Sequence, residues 1–469
     1  MSDLEVSIVG NGNLVPRHRV GTATIVFLLG LALTYILLSD RDGSAFVVAA
    51  VGIGLSLCVA TAVEAPAGVR ELVRIDILML WVLYGLTFLE FLFPQPNIEN
   101  LVPPDVAAKG VSAAILGFAG IALGRHIVPQ RRQTKSVFFV EVAPRNIFIL
   151  FVLAAVAGYL HMLLAVNFDV FEMLRQMALP RFEQSWGRGR YGDAYALLVE
   201  FGALLYLIPP IAGLIYARQK EFGAVEKVIV TVILLLALYY AVTSGTRNIL
   251  AVYVFTFFGA YYLNKPAIKL WKVFAEGAVV LALLLLITSY MLAFRNVGIN
   301  NYSISDNSPD ALYIDHNMVI LSQLTDAFPA VYDFLGLEIP FNALIRPIPR
   351  ALWSEKPEGL SVTIESVIGV NQETLSCTFI GEAYMMGGML GVVIIAMLFG
   401  AAAEMWNGVR RRQNSAFSQL LYASGFFCAA ISMRSMLWTI VTMLPTVALW
   451  LYGRILRSPA ASVAPKSHR

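Results

Sequence analysis

Apolar positions in this chain come in long unbroken runs divided by short polar stretches, without the alternation expected of half-buried strands. A hydrocarbon layer of about 30 Å takes roughly 20 apolar residues of helix. Twelve runs approach that length: 21–38, 45–63, 75–93, 108–124, 146–165, 194–216, 227–243, 248–264, 270–294, 378–402, 418–433 and 436–453. The pattern predicts an all-α polytopic membrane protein of about 12 transmembrane helices with one large periplasmic loop. Three segments follow: nine spans over 1–294, the loop over 295–377, and the C-terminal spans with a tail over 378–469. The first run is read as a span rather than a cleavable leader. No internal repeat is visible.

Within the loop, Ile320, Leu324, Ala327, Val331 and Phe334 recur at steps of 4, 3, 4 and 3, which is one stripe of a helix. Such a helix either lies on the membrane surface or packs over the spans as a lid. Ser322, Gln323, Asp326 and Asp333 fall off the stripe.

Composition sharpens this picture. Of the 469 residues, 58% are apolar and 14% charged, against about 25% charged in a soluble domain. The mean hydropathy is +0.71. A soluble enzyme, a disordered chain and a disulfide scaffold are excluded. Cys58, Cys377 and Cys428 give no disulfide framework, and no metal-ligand spacing occurs. The expectation is therefore a protein without cofactor or bound metal, and without nucleic acid as a partner. With the N-terminus inside and sides alternating, 22 of the 34 basic residues but only 10 of the 31 acids fall on the cytoplasmic side. That bias places both termini on the cytoplasmic side of the membrane.

Basic residues outside are few, so each is informative. Arg188 and Arg190 stand in Gly187-Arg188-Gly189-Arg190. Arg247 stands in the turn Ser244-Gly245-Thr246-Arg247-Asn248, Arg295 ends a span, and Arg434 lies in the shortest outer connection. Arg346, Arg350 and Lys356 belong to a proline-rich stretch with Pro347, Pro349 and Pro357. Any one of them has a simple alternative role, snorkelling at the boundary. The prolines predict a stiff, extended start to the last stretch, from which Arg346 and Arg350 reach one anion. Guanidinium suits phosphate because it stays charged and donates in a planar fork. Glu382, just inside a span, is costly there and is a functional candidate or one half of an ion pair. Gly387 and Gly391 in GxxxG spacing read as close helix packing. Asp315 and His316 lie in the large loop, and Pro209-Pro210 must bend the helix that carries Glu200.

The string from Ile345 to Gly359, IRPIPRALWSEKPEG, and the later Ile380–Ile394, IGEAYMMGGMLGVVI, resemble the O-antigen and oligosaccharide repeat-unit polymerases of the Wzy type. The Ser244–Asn248 turn and the single large loop are similar too. The likeness spans about 240–440 and departs at Met386, where an aromatic or Asn is usual. It implies a glycosyltransferase-C-like bundle and a sugar repeat unit on undecaprenyl pyrophosphate, presented at the periplasmic face. The growing glycan would pass to the next lipid-linked unit, for O-antigen or exopolysaccharide. Arg247, Arg346 and Arg350 would hold the pyrophosphate, with Arg295, Lys356, Arg188, Arg190 and Arg434 in support. The proton acceptor would be Glu382, or Asp315 or His316. Membrane lipid, a chain-length regulator and a flippase are the implied partners. An O-antigen ligase and an anionic-solute transporter are the competing readings.

Overall fold

The computed structural model describes residues 17–39, 45–95, 101–128, 141–181, 183–186, 198–265, 268–300, 316–348, 350, 352–357, 359–369, 375–411 and 415–456. Among them every regular element is helical. The principal helices are α1 (Arg17–Ser39), α2 (Ala45–Glu64), α3 (Ile75–Thr87), α4 (Pro104–Gly124), α5 (Pro144–Ala165), α6 (Leu198–Ala217) and α7 (Ala224–Thr243). They continue as α8 (Arg247–Asn264), α9 (Leu270–Val297), α10 (Asn317–Ala327), α11 (Glu338–Ile345), α12 (Thr378–Arg411), α13 (Ala416–Arg434) and α14 (Thr439–Ile455).

All twelve apolar runs are helices, but they do not all meet the same standard. Ten helices among the described residues are long and apolar enough to cross a membrane, which makes this a multi-pass membrane protein. The other two are α3 and α8. The run 75–93 stops being α-helical at Thr87 and ends in a 3-10 turn, Leu89–Leu92, that carries a buried acid, Glu90. Arg247 and several tyrosines dilute α8.

Close packing comes from small residues, which is how helices associate without a water-driven force between them. A Cβ on Gly124 of α4 would sit 2.2 Å from the Met397 carbonyl oxygen of α12, so the two backbones touch there. Pro209 and Pro210 fall in the first turn of the α-helical stretch Ile208–Ala217, where missing N–H groups cost nothing. The preceding Phe201–Leu207 is 3-10, and this change of winding is the irregularity the prolines impose.

One end of the bundle holds charge that is buried and paired, not left at the boundary where its place in the sequence puts it. Arg74, Glu64 and Asp76 are all buried. Arg74 donates to Glu64 at 2.6 Å and to both oxygens of Asp76. Arg125 reaches Asp76 at 2.9 Å, Glu64 at 3.2 Å and Thr24 at 2.6 Å. Asn407 donates to Asp76 at 2.7 Å and accepts from the Ile75 N–H and the Tyr422 hydroxyl. Arg410 pairs with Glu71 at 2.8 Å. The network ties α1, α2, α3 and α4 to α12 and α13. Charges at that depth are tolerated because each is paired and hydrogen-bonded.

The large loop folds back on the bundle. The expected stripe helix exists, but it is Asn317–Ala327 and it is a lid. Met318, Leu321, Leu324 and Ser322 are fully buried. Ser322 lies against Gly110 of α4, and Leu324 against Gly381 of α12. Val331 and Phe334 do not extend it, because Pro329 has no N–H to continue the ladder.

Candidate functional site

Opposite the buried ion network lie the first turns of α8, α12 and α14 and the last turns of α9 and α13. Val252 of α8 packs with Phe427 and Ala430 of α13, and Gly259 meets Phe426. The two helices therefore run antiparallel, and Arg247 and Arg434 stand at the same end.

Glu382 is buried one turn into α12. Its carboxylate accepts from the Ser435 hydroxyl, the Met436 N–H and, at 3.3 Å, the Leu437 N–H. Those donors belong to the 3-10 turn Met436–Trp438 that leads into α14. The first N–H groups of a helix lack partners inside it. An acid from another helix supplies them here, with its charge facing the positive end of the dipole. Trp438 closes that turn, and the Arg346 guanidinium carbon lies 3.8 Å from the centroid of its ring. Glu382 thus fixes the turn, the turn fixes Trp438, and the indole face seats Arg346.

The proline-rich stretch is not extended. Arg346 keeps helical angles at the end of α11, and the Ile348 N–H donates to the Ile345 carbonyl at 3.0 Å. The helix's last carbonyls thus hold the chain in a turn even though Pro347 follows. Lys356 then folds back to donate to the Arg346 carbonyl at 3.0 Å and the Ile348 carbonyl at 2.8 Å. Arg350 reaches the Pro357 carbonyl at 3.5 Å. Arg346, Arg350 and Lys356 are gathered by this closure rather than by a rigid rod. Partial burial first, then the guanidinium groups of Arg346 and Arg350, hold the Lys356 ammonium below its ordinary pKa, while Glu200 pulls it upward.

A second basic group forms around the Ser244–Asn248 turn. Gly245 has φ +65°, and a Cβ there would fall 2.3 Å from the Arg295 Cβ. The Arg181 N–H donates to the Arg295 carbonyl at 3.1 Å, and its guanidinium to Thr246 at 3.4 Å. Arg181, Arg247 and Arg295 are brought together; the sequence places Arg181 in the same outer basic cluster as Arg188 and Arg190 but not among the residues expected to hold pyrophosphate. Arg434 ends α13, and its carbonyl accepts from Ser376 at 3.3 Å. Arg188, Arg190 and Asp315 lie outside the described residues. His316, with φ +52°, donates its N–H to Glu90 at 3.1 Å. It stands at the end of α3, away from the turn that Glu382 caps. Glu90 was missed, although an acid inside an apolar run was a readable signal.

Gly387 and Gly391 do not form a helix-packing face. Helix α12 breaks at Gly387 and Gly388, where Gly388 has φ +63° and ψ −150°. The carbonyls released there are taken by the loop: Leu335 N–H to Met385 at 2.9 Å and Gly336 N–H to Met386 at 3.0 Å. Irregular backbone inside a membrane protein needs such substitutes. Phe334 covers the break, its ring 3.0 Å from where a Gly388 Cβ would be.

Residues 113–433 match the family model described as "Putative O-antigen polymerase", about two-thirds of the chain, and the chain belongs to that family. No curated protein and no solved structure matches it.

Proposed function

We propose that this member of the O-antigen polymerase family is a glycosyltransferase that joins sugar repeat units carried on a lipid diphosphate, undecaprenyl pyrophosphate, at the periplasmic face of the inner membrane. The observation that carries the reading is the seating of Arg346 on Trp438, above a turn capped by Glu382, with Arg350 and Lys356 folded round the same backbone. In the reaction, the bond from the anomeric carbon to the diphosphate oxygen breaks and its electron pair leaves with the lipid diphosphate. The acceptor hydroxyl of the next unit forms the new bond and gives its proton to a base. Charge develops on phosphate oxygens, and preorganised cations stabilise it there. Arg346, Arg350 and Lys356 carry the same sign of charge round one stretch of backbone, and an anion among them relieves their repulsion.

For Glu382 the geometry favours positioning over proton transfer. Three donors already occupy its two oxygens, and a carboxylate offers about four acceptor sites. His316 stands away from that turn, so the residues gathered here serve the leaving group and not the proton transfer. Family membership and the asymmetric loop both weigh against a solute transporter.

The test is polymer synthesis by purified protein in nanodiscs supplied with lipid-linked repeat units. Arg346→Ala should lose at least a hundredfold in rate with the fold intact. Arg346→Lys should recover little, because an ammonium neither stacks on the indole as a plane nor donates in a fork. Wild-type rates from both variants would reject the site. Orientation is checked alongside it: a cysteine at Glu183 should react with an impermeant thiol reagent in cells, and one at Gln133 should not.

A further inference from the structure

Helix α11 and the turn after it leave one face bare. Leu337, Phe341, Leu344 and Ile348 recur at steps of 4, 3 and 4, one side of a helix, and are between 38% and 79% exposed. Leu352 adds a further exposed side chain at 76%. The other face, Ile339, Ala343 and Ile345, is buried, and the helix lies against the Met436–Trp438 turn and the start of α14.

We propose that this stripe is seated in the hydrocarbon of the outer leaflet, so that the basic loop lies at the level of the lipid phosphates and the site opens sideways into the membrane. Three observations lead there. First, α11 is packed on the opening turn of a helix long enough to span, so it sits at the boundary rather than out in water. Second, a contiguous apolar patch of this kind is covered by something, and the polar flank beside it is net basic: Arg346, Arg350 and Lys356 against Glu355 among the described residues. An apolar stripe with cations along its edge is the pattern of a helix lying in the interface, its cations matched to phosphate. Third, Trp353 lies within the same loop and Trp438 stacks on its Arg346, and indole rings settle at that depth. A lipid-borne diphosphate would then reach the arginines by lateral diffusion, without its head leaving the phosphate plane. That consequence rests on the function proposed above; the seating of α11 does not.

The experiment uses the full chain in phosphatidylcholine–phosphatidylglycerol nanodiscs, with the three native cysteines replaced. A single cysteine carries an environment-sensitive NBD label, at Leu344 or, as control, at exposed Asp333. Leu344 is exposed, so labelling it leaves the core untouched. The seating predicts at least twofold stronger quenching at Leu344 than at Asp333 by a shallow spin-labelled lipid, and the reverse order with aqueous iodide. Iodide quenching at Leu344 equal to that at Asp333 would overturn it. So would protection that appears only as protein concentration rises, which would mean that a second copy covers the stripe. For entry, Phe341→Ser with Leu344→Ser should raise KM for the lipid-linked donor about tenfold with kcat retained, and an unchanged KM would overturn sideways entry. If wild-type protein makes no polymer while the Leu344 label is lipid-quenched, the proposed function fails and the seating stands.

Discussion

Replacing Gly388 by Ala tests the broken helix directly. The residue has φ +63° and ψ −150°, a region that essentially glycine alone occupies. A side chain there leaves two routes. If the break is kept, the backbone strain costs about 1–3 kcal/mol, and the Phe334 ring must also yield, being 3.0 Å from the new Cβ. If α12 straightens instead, the Leu335 and Gly336 N–H groups lose the Met385 and Met386 carbonyls. Two such bonds are worth about 0.5–1.5 kcal/mol each, so the two routes cost alike. Between 1 and 3 kcal/mol is about 5- to 150-fold in an equilibrium constant. The assay is reversible unfolding by SDS in mixed micelles, with polymerisation rate measured on the same preparations. Gly388→Ala should shift the midpoint down and slow the reaction, since Phe334 and the segment that leads into α11 and Arg346 are displaced. Combining it with Phe334→Ala removes the steric part and leaves the backbone part. An unchanged midpoint in Gly388→Ala, or full recovery in the double variant, would refute the assignment of the break to the glycine conformation.

Two further predictions follow from charge. Asp76→Asn leaves Arg74 and Arg125 with Glu64 as their one shared carboxylate, and breaking a buried pair costs about 3–5 kcal/mol; the temperature of thermal inactivation in detergent should fall sharply, while the rate per folded molecule is kept, and equal stability would show the network to be idle. Lys356 should make diphosphate affinity pH-dependent. Its pKa is lowered in the free protein, and a bound anion raises it, so binding takes up a proton and weakens as pH rises through the lowered value; titration of a diphosphate by calorimetry should show this for wild type and a flat profile for Lys356→Met, and equal profiles would exclude Lys356 from the site.

Hydrophobic run length decided the class of this protein. No soluble surface can be made from 14% charged residues, and each of the twelve runs is a helix in the structure. The strings around Arg346 and Glu382 were legible as well, because an arginine outside and an acid inside a span are expensive enough to stand out. What those residues touch was not legible. Glu382 meets Ser435 and Met436, more than 50 positions away, and the partner of Arg346 is Trp438. The same holds at the other end, where Arg74, Asp76 and Arg125 read as ordinary boundary charges until α2, α3 and α4 bring them together. The stripe from Ile320 to Phe334 is the reverse case. Its period was correct as far as Ala327, but period alone says that a face is apolar, not whether lipid or protein covers it. Glycine spacing has the same weakness: Gly387-x-x-x-Gly391 is compatible with packing or with a break, and the N–H groups of Leu335 and Gly336, arriving from another part of the chain, favour the break. Local sequence sets which groups need burial or a partner; only the packing of distant segments decides which partner meets that need.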